Sequence, residues 1–203
     1  MNSTVVADVV VVAPKKKHRQ HLPQDIIDIF DSLFSESENT RLICGGNEPL
    51  YLPAKGLYKN KQTNYHQVIF AHGFYASALH EIAHWLVAGP QRRLQEDYGY
   101  WYCPDGRTVQ QQAEFEKVEI YPQALEAILA HAAGFRFRIS ADNLSGKPVD
   151  RPAFAQKVHQ RACDKLQQGL SPRMQLLVDH LQDFYQTSEC FPQNLKNANM
   201  ADW

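Results

Sequence analysis

The segment His80-Glu81-Ile82-Ala83-His84 sits inside one of the most apolar stretches of the chain. On a helix that turns about 100° per residue, positions i and i+4 share a face, so both imidazoles can point at a single atom. Phe74, Leu79, Ile82, Trp85, Leu86 and Val87 leave little polar surface around them. The pattern therefore predicts a core helix from Phe74 to Ala88, buried almost all round and closed by Gly89-Pro90. Two histidines and a glutamate in such a helix need partners, because unsatisfied buried polar groups are costly. A metal ion held jointly by His80 and His84 supplies one. With nine His and ten Glu in 203 residues, about 0.02 such HExxH matches arise by chance, so the motif carries information. The plainer reading, two core histidines bonded to backbone carbonyls, leaves the added Glu81 unexplained.

Two histidines rarely suffice for a catalytic ion, so a third protein ligand is expected. The elongated zinc-protease pattern needs glycine at position 87 and histidine at position 90, where this chain has Val87 and Pro90. That pattern is excluded. A carboxylate from a later helix is the other common solution. Thr108 and Gln111 have the spacing of a capping box, which predicts a helix running to about Tyr121 and carrying Glu114, Glu116 and Glu119. Glu116 falls among Val109, Ala113 and Ile120, within the apolar stripe. Glu119 lies at the stripe's edge, and Glu114 projects with Lys117 to the polar side. A core-facing carboxylate needs a charge partner, which makes Glu116 the expected third ligand and Glu119 a supporting residue behind the metal. The alternative for Glu116 is a structural salt bridge. Glu81 points about 100° away from His80, so it is expected to be catalytic and not a ligand. In a hydrolase it would be the general base on metal-bound water, and in other chemistry it could orient a ligand or hold a proton. His72, just before the helix, is a supporting candidate or a structural bond. His131, His159 and His180 stand alone on later segments, where packing roles are the expectation. In the aromatic run Tyr98–Tyr102, Tyr100 and Trp101 could wall a substrate cleft or simply pack.

The rest of the chain reads as one domain of class α+β, a small mixed sheet packed by several helices with the HExxH helix in the core. A helix is predicted from Pro23 with Ile26, Ile27, Phe30, Leu33 and Phe34 at helical spacing. Short strands are predicted near Arg41–Cys44, Leu50–Leu52 and Val68–Ala71. Pro122 is expected to open a new helix ending at Gly134, with Phe135–Ser140 as a last strand and helices near 151–168 and 172–186. Residues 1–20 are expected to be a flexible extension, 21–190 the domain and 191–203 a tail. Apolar residues make up 44% of the chain and charged residues 21%, which is globular composition. A formal net charge of −1 offers no field for nucleic acid or an anionic membrane. Val5–Ala13 is interrupted by Asp8 and followed, not preceded, by the basic cluster Lys15–Arg19, so it reads as neither a membrane span nor a secretory signal. Cys44, Cys103, Cys163 and Cys190 are scattered without a CxxC pair, the pattern of free thiols in a reducing, cytoplasmic setting.

Three blocks carry a resemblance. Phe70–Trp85 (FAHGFYASALHEIAHW), Tyr98–Arg107 (YGYWYCPDGR) and Phe115–Leu125 (FEKVEIYPQAL) are similar to the elongation factor P hydroxylase family, over about residues 22–186. The resemblance implies a non-heme metal-dependent monooxygenase that hydroxylates the β-lysylated lysine of elongation factor P. It implies a fold like that of a bacterial endoribonuclease with a histidine metal site, and a ligand set of two histidines and one carboxylate: His80, His84 and Glu116. Fe(II) suits such a set, with O2 as co-substrate, although another divalent metal such as zinc could be found in purified protein. The usual oxygenase pattern is absent, since no histidine here is followed two residues later by an acid. A cationic substrate calls for acids near the cleft, and Asp97, Asp105 and Glu119 are the candidates. Without the second and third blocks, HExxH plus a later Glu would suggest a zinc metallopeptidase. A non-catalytic protein stabilised by its metal is the third reading.

Overall fold

A computed structural model describes residues 19–97, 106–141 and 150–203. Helix α1 (Pro23–Phe34) starts on a proline, whose fixed φ suits a first turn, and buries Ile26, Ile29, Phe30 and Phe34. Strand β1 (Thr40–Cys44) follows, then β2 (Leu50–Leu52), a small hairpin β3 (Leu57–Tyr58) and β4 (Lys61–Gln62), and β5 (His66–Phe70). The sheet is mixed, in the order β1-β5-β2, with β1 parallel and β2 antiparallel to β5. Central β5 buries Gln67 through Phe70, as a strand paired on both sides should. The hairpin has no counterpart in the sequence expectations. Its two-residue strands are too short to show alternation, and its turn residues Lys59 and Asn60 take positive φ.

Strand β5 delivers the chain directly into α2 (Tyr75–Val87). His72 and Gly73 both adopt left-handed φ, 58° and 67°, which reverses the chain within two residues. The His72 N–H donates to the Gly46 carbonyl at 2.9 Å, and the Ala71 N–H donates to Ser77 Oγ at 3.1 Å. These bonds pin the start of the HExxH helix to the edge of the sheet. Ala78, Leu79, Ile82, Ala83, Trp85 and Leu86 are buried against the sheet, α1 and the next helix. The helix is not buried all round, because Phe74 and Val87 at its ends are 65% and 39% exposed.

Helix α3 (Val109–Ala132) opens with the expected capping box. The Gln111 N–H donates to Thr108 Oγ1, and the Thr108 N–H donates to Gln111 Oε1. It then runs unbroken through Pro122, where a helix boundary was expected. The proline removes the bond to the Val118 carbonyl. Val118 is 53% exposed, so solvent can satisfy that oxygen. Burial of nearly every residue from Pro122 to Ala132 more than offsets one lost bond. Gly134, at φ 67°, ends the helix with its N–H on the His131 carbonyl.

The segment 135–141 keeps the alternation of a strand, with Phe137 and Ile139 buried and Arg136 and Arg138 exposed, yet forms none. Its backbone partners are side chains: Arg151 donates to the Ile139 carbonyl, and Arg107 and Gln112 to that of Ala141. Gln123 Nε2 donates to the Ser140 carbonyl at 2.7 Å, and the Ser140 N–H donates to Gln123 Oε1 at 3.0 Å. Helices α4 (Arg151–Gln168) and α5 (Pro172–Tyr185) pack on α3. The last residues fold back as α6 (Gln193–Lys196) with Leu195 fully buried, and the Trp203 ring lies 4.7 Å from that of Phe137. Cys44, Cys163 and Cys190 are free thiols. No helix among the described residues is long and apolar enough to cross a membrane.

Candidate metal centre

The i,i+4 spacing on α2 brings His80 Nε2 and His84 Nε2 to 3.1 Å of each other. From α3, Glu119 sets Oε1 at 3.4 Å from His84 Nε2 and Oε2 at 3.8 Å from His80 Nε2. Ligands about 2.1 Å from a common ion stand roughly 3.0–3.8 Å apart for angles between 90° and 130°. Two ring nitrogens and the two oxygens of one carboxylate thus converge, and one ligand atom from each of His80, His84 and Glu119 lies within 4.8 Å of the others, a group among the described residues able to hold a metal.

The acid that reaches the histidines is Glu119, where Glu116 was the expected ligand. Glu116 lies instead 3.9 Å from Lys157 Nζ on α4, the salt-bridge alternative. Of the three residues that put Glu116 in an apolar stripe, Val109 and Ala113 are exposed and only Ile120 packs against the core. The face that meets the core carries Gln112, Phe115, Glu119, Gln123 and Glu126. Reading a helix end at Pro122 hid that face, since Glu119 and Glu126, seven residues apart, line up only on an uninterrupted helix.

Glu126 was not singled out from sequence. Its Oε2 accepts a hydrogen bond from His80 Nδ1 at 2.8 Å, which fixes the tautomer and leaves Nε2 free to ligate. Gln123 Nε2 also lies 3.2 Å from Glu119 Oε2, so the amide that clamps Ser140 orients the carboxylate. Burial pulls the pKa of His80 down, but the Glu126 carboxylate, joined by Glu119 and Glu81, prevails and raises it to about 10. Burial would raise Glu119, yet His84, His80 and Gln123 hold it at about 2. Glu81 and Glu126 are both raised, chiefly by burial, against the lowering effect of the histidines. Three glutamates around two imidazoles leave negative charge that a divalent cation would neutralise. The donor set fits a metal.

A cavity of about 260 Å³ opens beside these ligands, lined by Glu81, His84 and Glu119 with Tyr51, Asp97 and apolar Val118. That places it near the small end of ligand pockets, about 300–1,000 Å³. Asp97 accepts two bonds from Arg92, at 3.0 and 2.8 Å. Arg93 donates to Glu38 at 2.7 Å. His72 is exposed in the turn before α2, its ring 6.0 Å from that of Phe74, and is not among the cavity-lining residues. Tyr100, Trp101 and Asp105 lie outside the described residues.

A protein of Haemophilus influenzae described as elongation factor P lysine hydroxylase is 53% identical over 170 residues, covering 84% of this chain and 93% of its own length. The model of the family described as elongation factor P hydroxylase matches residues 29–195, a span that contains β1, β5, α2, α3 and every residue of the histidine–glutamate group. With the match spanning the sheet, the HExxH helix and the helix that brings the carboxylate, this chain belongs to the elongation factor P hydroxylase family.

Proposed function

We propose that the chain is an enzyme that hydroxylates a lysine side chain of elongation factor P, in its β-lysylated form, using a divalent metal held by His80, His84 and Glu119. The reading is carried by the convergence of His80, His84 and Glu119, with one ligand atom from each within 4.8 Å of the others, beside a cavity that His84 and Glu119 line. Hydroxylating an unactivated C–H bond needs a redox metal, which favours iron(II) over zinc. His80, His84 and Glu119 would hold the metal, which would supply dioxygen activation. One oxygen atom would enter the C–H bond and the other leave as water, with two electrons from a reductant and two protons from solvent.

The protein's own part is to hold and orient. Glu126 keeps the proton on His80 Nδ1, so the ring presents Nε2. Gln123 holds the Glu119 carboxylate in register with both rings. The cavity takes a side chain and not a folded domain, so elongation factor P would insert its lysine from outside. The setting is the cytoplasm, where that partner is found.

Mass spectrometry of β-lysylated elongation factor P incubated with enzyme, iron(II), reductant and oxygen tests the proposal. The expected result is a gain of one oxygen atom, lost in His84→Ala and Glu119→Ala and kept in Glu116→Ala. Stoichiometric zinc in anaerobically purified protein, with peptide cleavage and no oxygen gained, would establish the metallopeptidase reading instead.

A further inference from the structure

We propose that the Glu81 carboxylate anchors the ammonium group of the substrate side chain, an inference that rests on the lysine-hydroxylase reading above. The cavity beside the metal ligands is lined by three carboxylates. Asp97 is engaged by the two bonds from Arg92, and Glu119 faces the two imidazoles and Gln123. Glu81 makes no hydrogen bond or ion pair among the described residues, yet it lines the same cavity as His84 and Glu119. The two arginines on the cavity wall, Arg92 and Arg93, are committed to Asp97 and Glu38. Glu81 is half-buried in the cavity wall, and a carboxylate turned partly away from water with no partner is costly. An alkylammonium entering the cavity is the partner that removes the cost.

Position supports the same assignment. Glu81 follows His80 on α2, turned about 100° around the helix, so a cation held there stands beside the ligand atoms and not on them. Much of the cavity lining is apolar, with Leu50, Trp85, Val87, Val118 and Pro122. Such a wall suits the methylene stem of a lysine, whose carbons would then pass the metal while its charged end stays on Glu81. The chemistry also frees this residue. Hydroxylation by dioxygen needs no base to activate a water, the task that a glutamate in this motif performs in hydrolases.

The test uses the full chain loaded with zinc, a redox-inert stand-in, and n-butylammonium as the probe, with n-butanol as its neutral counterpart. Calorimetry is expected to show that n-butylammonium binds and n-butanol does not, with the affinity at least tenfold weaker in Glu81→Gln and intermediate in Glu81→Asp. Metal content should be the same in all three proteins. In iron-loaded turnover, Glu81→Gln should raise KM for elongation factor P tenfold or more, with kcat within threefold of the parent. Equal n-butylammonium binding in Glu81→Gln, loss of metal, or a collapse of kcat at unchanged KM would each overturn the anchor. If the parent does not hydroxylate elongation factor P, the function fails while the calorimetry still decides the anchor. Glu81→Asp keeps the charge, so it decides the matter if Glu81→Gln does not fold.

Discussion

Replacing Glu119 with glutamine keeps the size of the side chain and removes its charge. In the metal-free protein the two imidazoles and Gln123 overcome the burial of this carboxylate, so it titrates at about 2 against an ordinary 4.5. At about 1.4 kcal/mol for each pH unit, that depression is worth roughly 3 kcal/mol of folding stability at neutral pH. The elevation of His80 reflects part of the same interaction and is not added to it. Because the folded value is depressed, the contribution is complete above the unfolded value of 4.5 and fades as pH falls toward 2. Urea denaturation in EDTA should therefore show Glu119→Gln about 3 kcal/mol less stable than the parent at pH 7. The gap should narrow by about 1 kcal/mol between pH 4.5 and pH 3.5. Added divalent metal should stabilise the parent further, in proportion to the logarithm of its concentration, and leave the variant nearly unmoved. A gap under 1 kcal/mol at pH 7, or equal stabilisation of both proteins by metal, would refute the reasoning.

Two further substitutions probe how the site is held. Glu126→Gln should weaken metal binding roughly 10–100-fold in competition with a chelator, because the ring it orients loses its carboxylate partner; unchanged affinity would mean the 2.8 Å bond to His80 serves only packing. Gln123→Ala strips both bonds from the Ser140 backbone and should cost about 2–4 kcal/mol in urea denaturation, whereas a loss below 1 kcal/mol would show that segment 135–141 is held by buried Phe137 and Ile139 and by the bonds from Arg107, Gln112 and Arg151.

Helix α2 and its two histidines were legible because their evidence is local: four residues of spacing, an apolar setting and a Gly-Pro stop. The α+β class and the three paired strands were legible for the same reason. Which acid faces the two histidines depended on the rotational phase of α3, and a single proline concealed it. Proline ends helices often enough to justify that reading, but here tertiary burial of Pro122–Ala132 overrides the local preference. The segment 135–141 misled in another way. Alternating burial reports which side faces the core and says nothing of the hydrogen-bond partner, here the side chain of Gln123. The fold-back of residues 193–203 left only scattered apolar signs, Leu195 and Trp203, in a polar stretch.

The unbroken course of α3 through Pro122 also limits how relatives of this chain can differ. Glu119, Gln123 and Glu126 ride on one rod, so one extra residue between positions 119 and 126 would swing one acid about 100° out of line with the other. Substitutions along the solvent side of that rod cost little, and the loop between β2 and β5 can change length without disturbing the ligands. The spacing of these three residues should thus resist insertion and deletion even where the side chains between them drift.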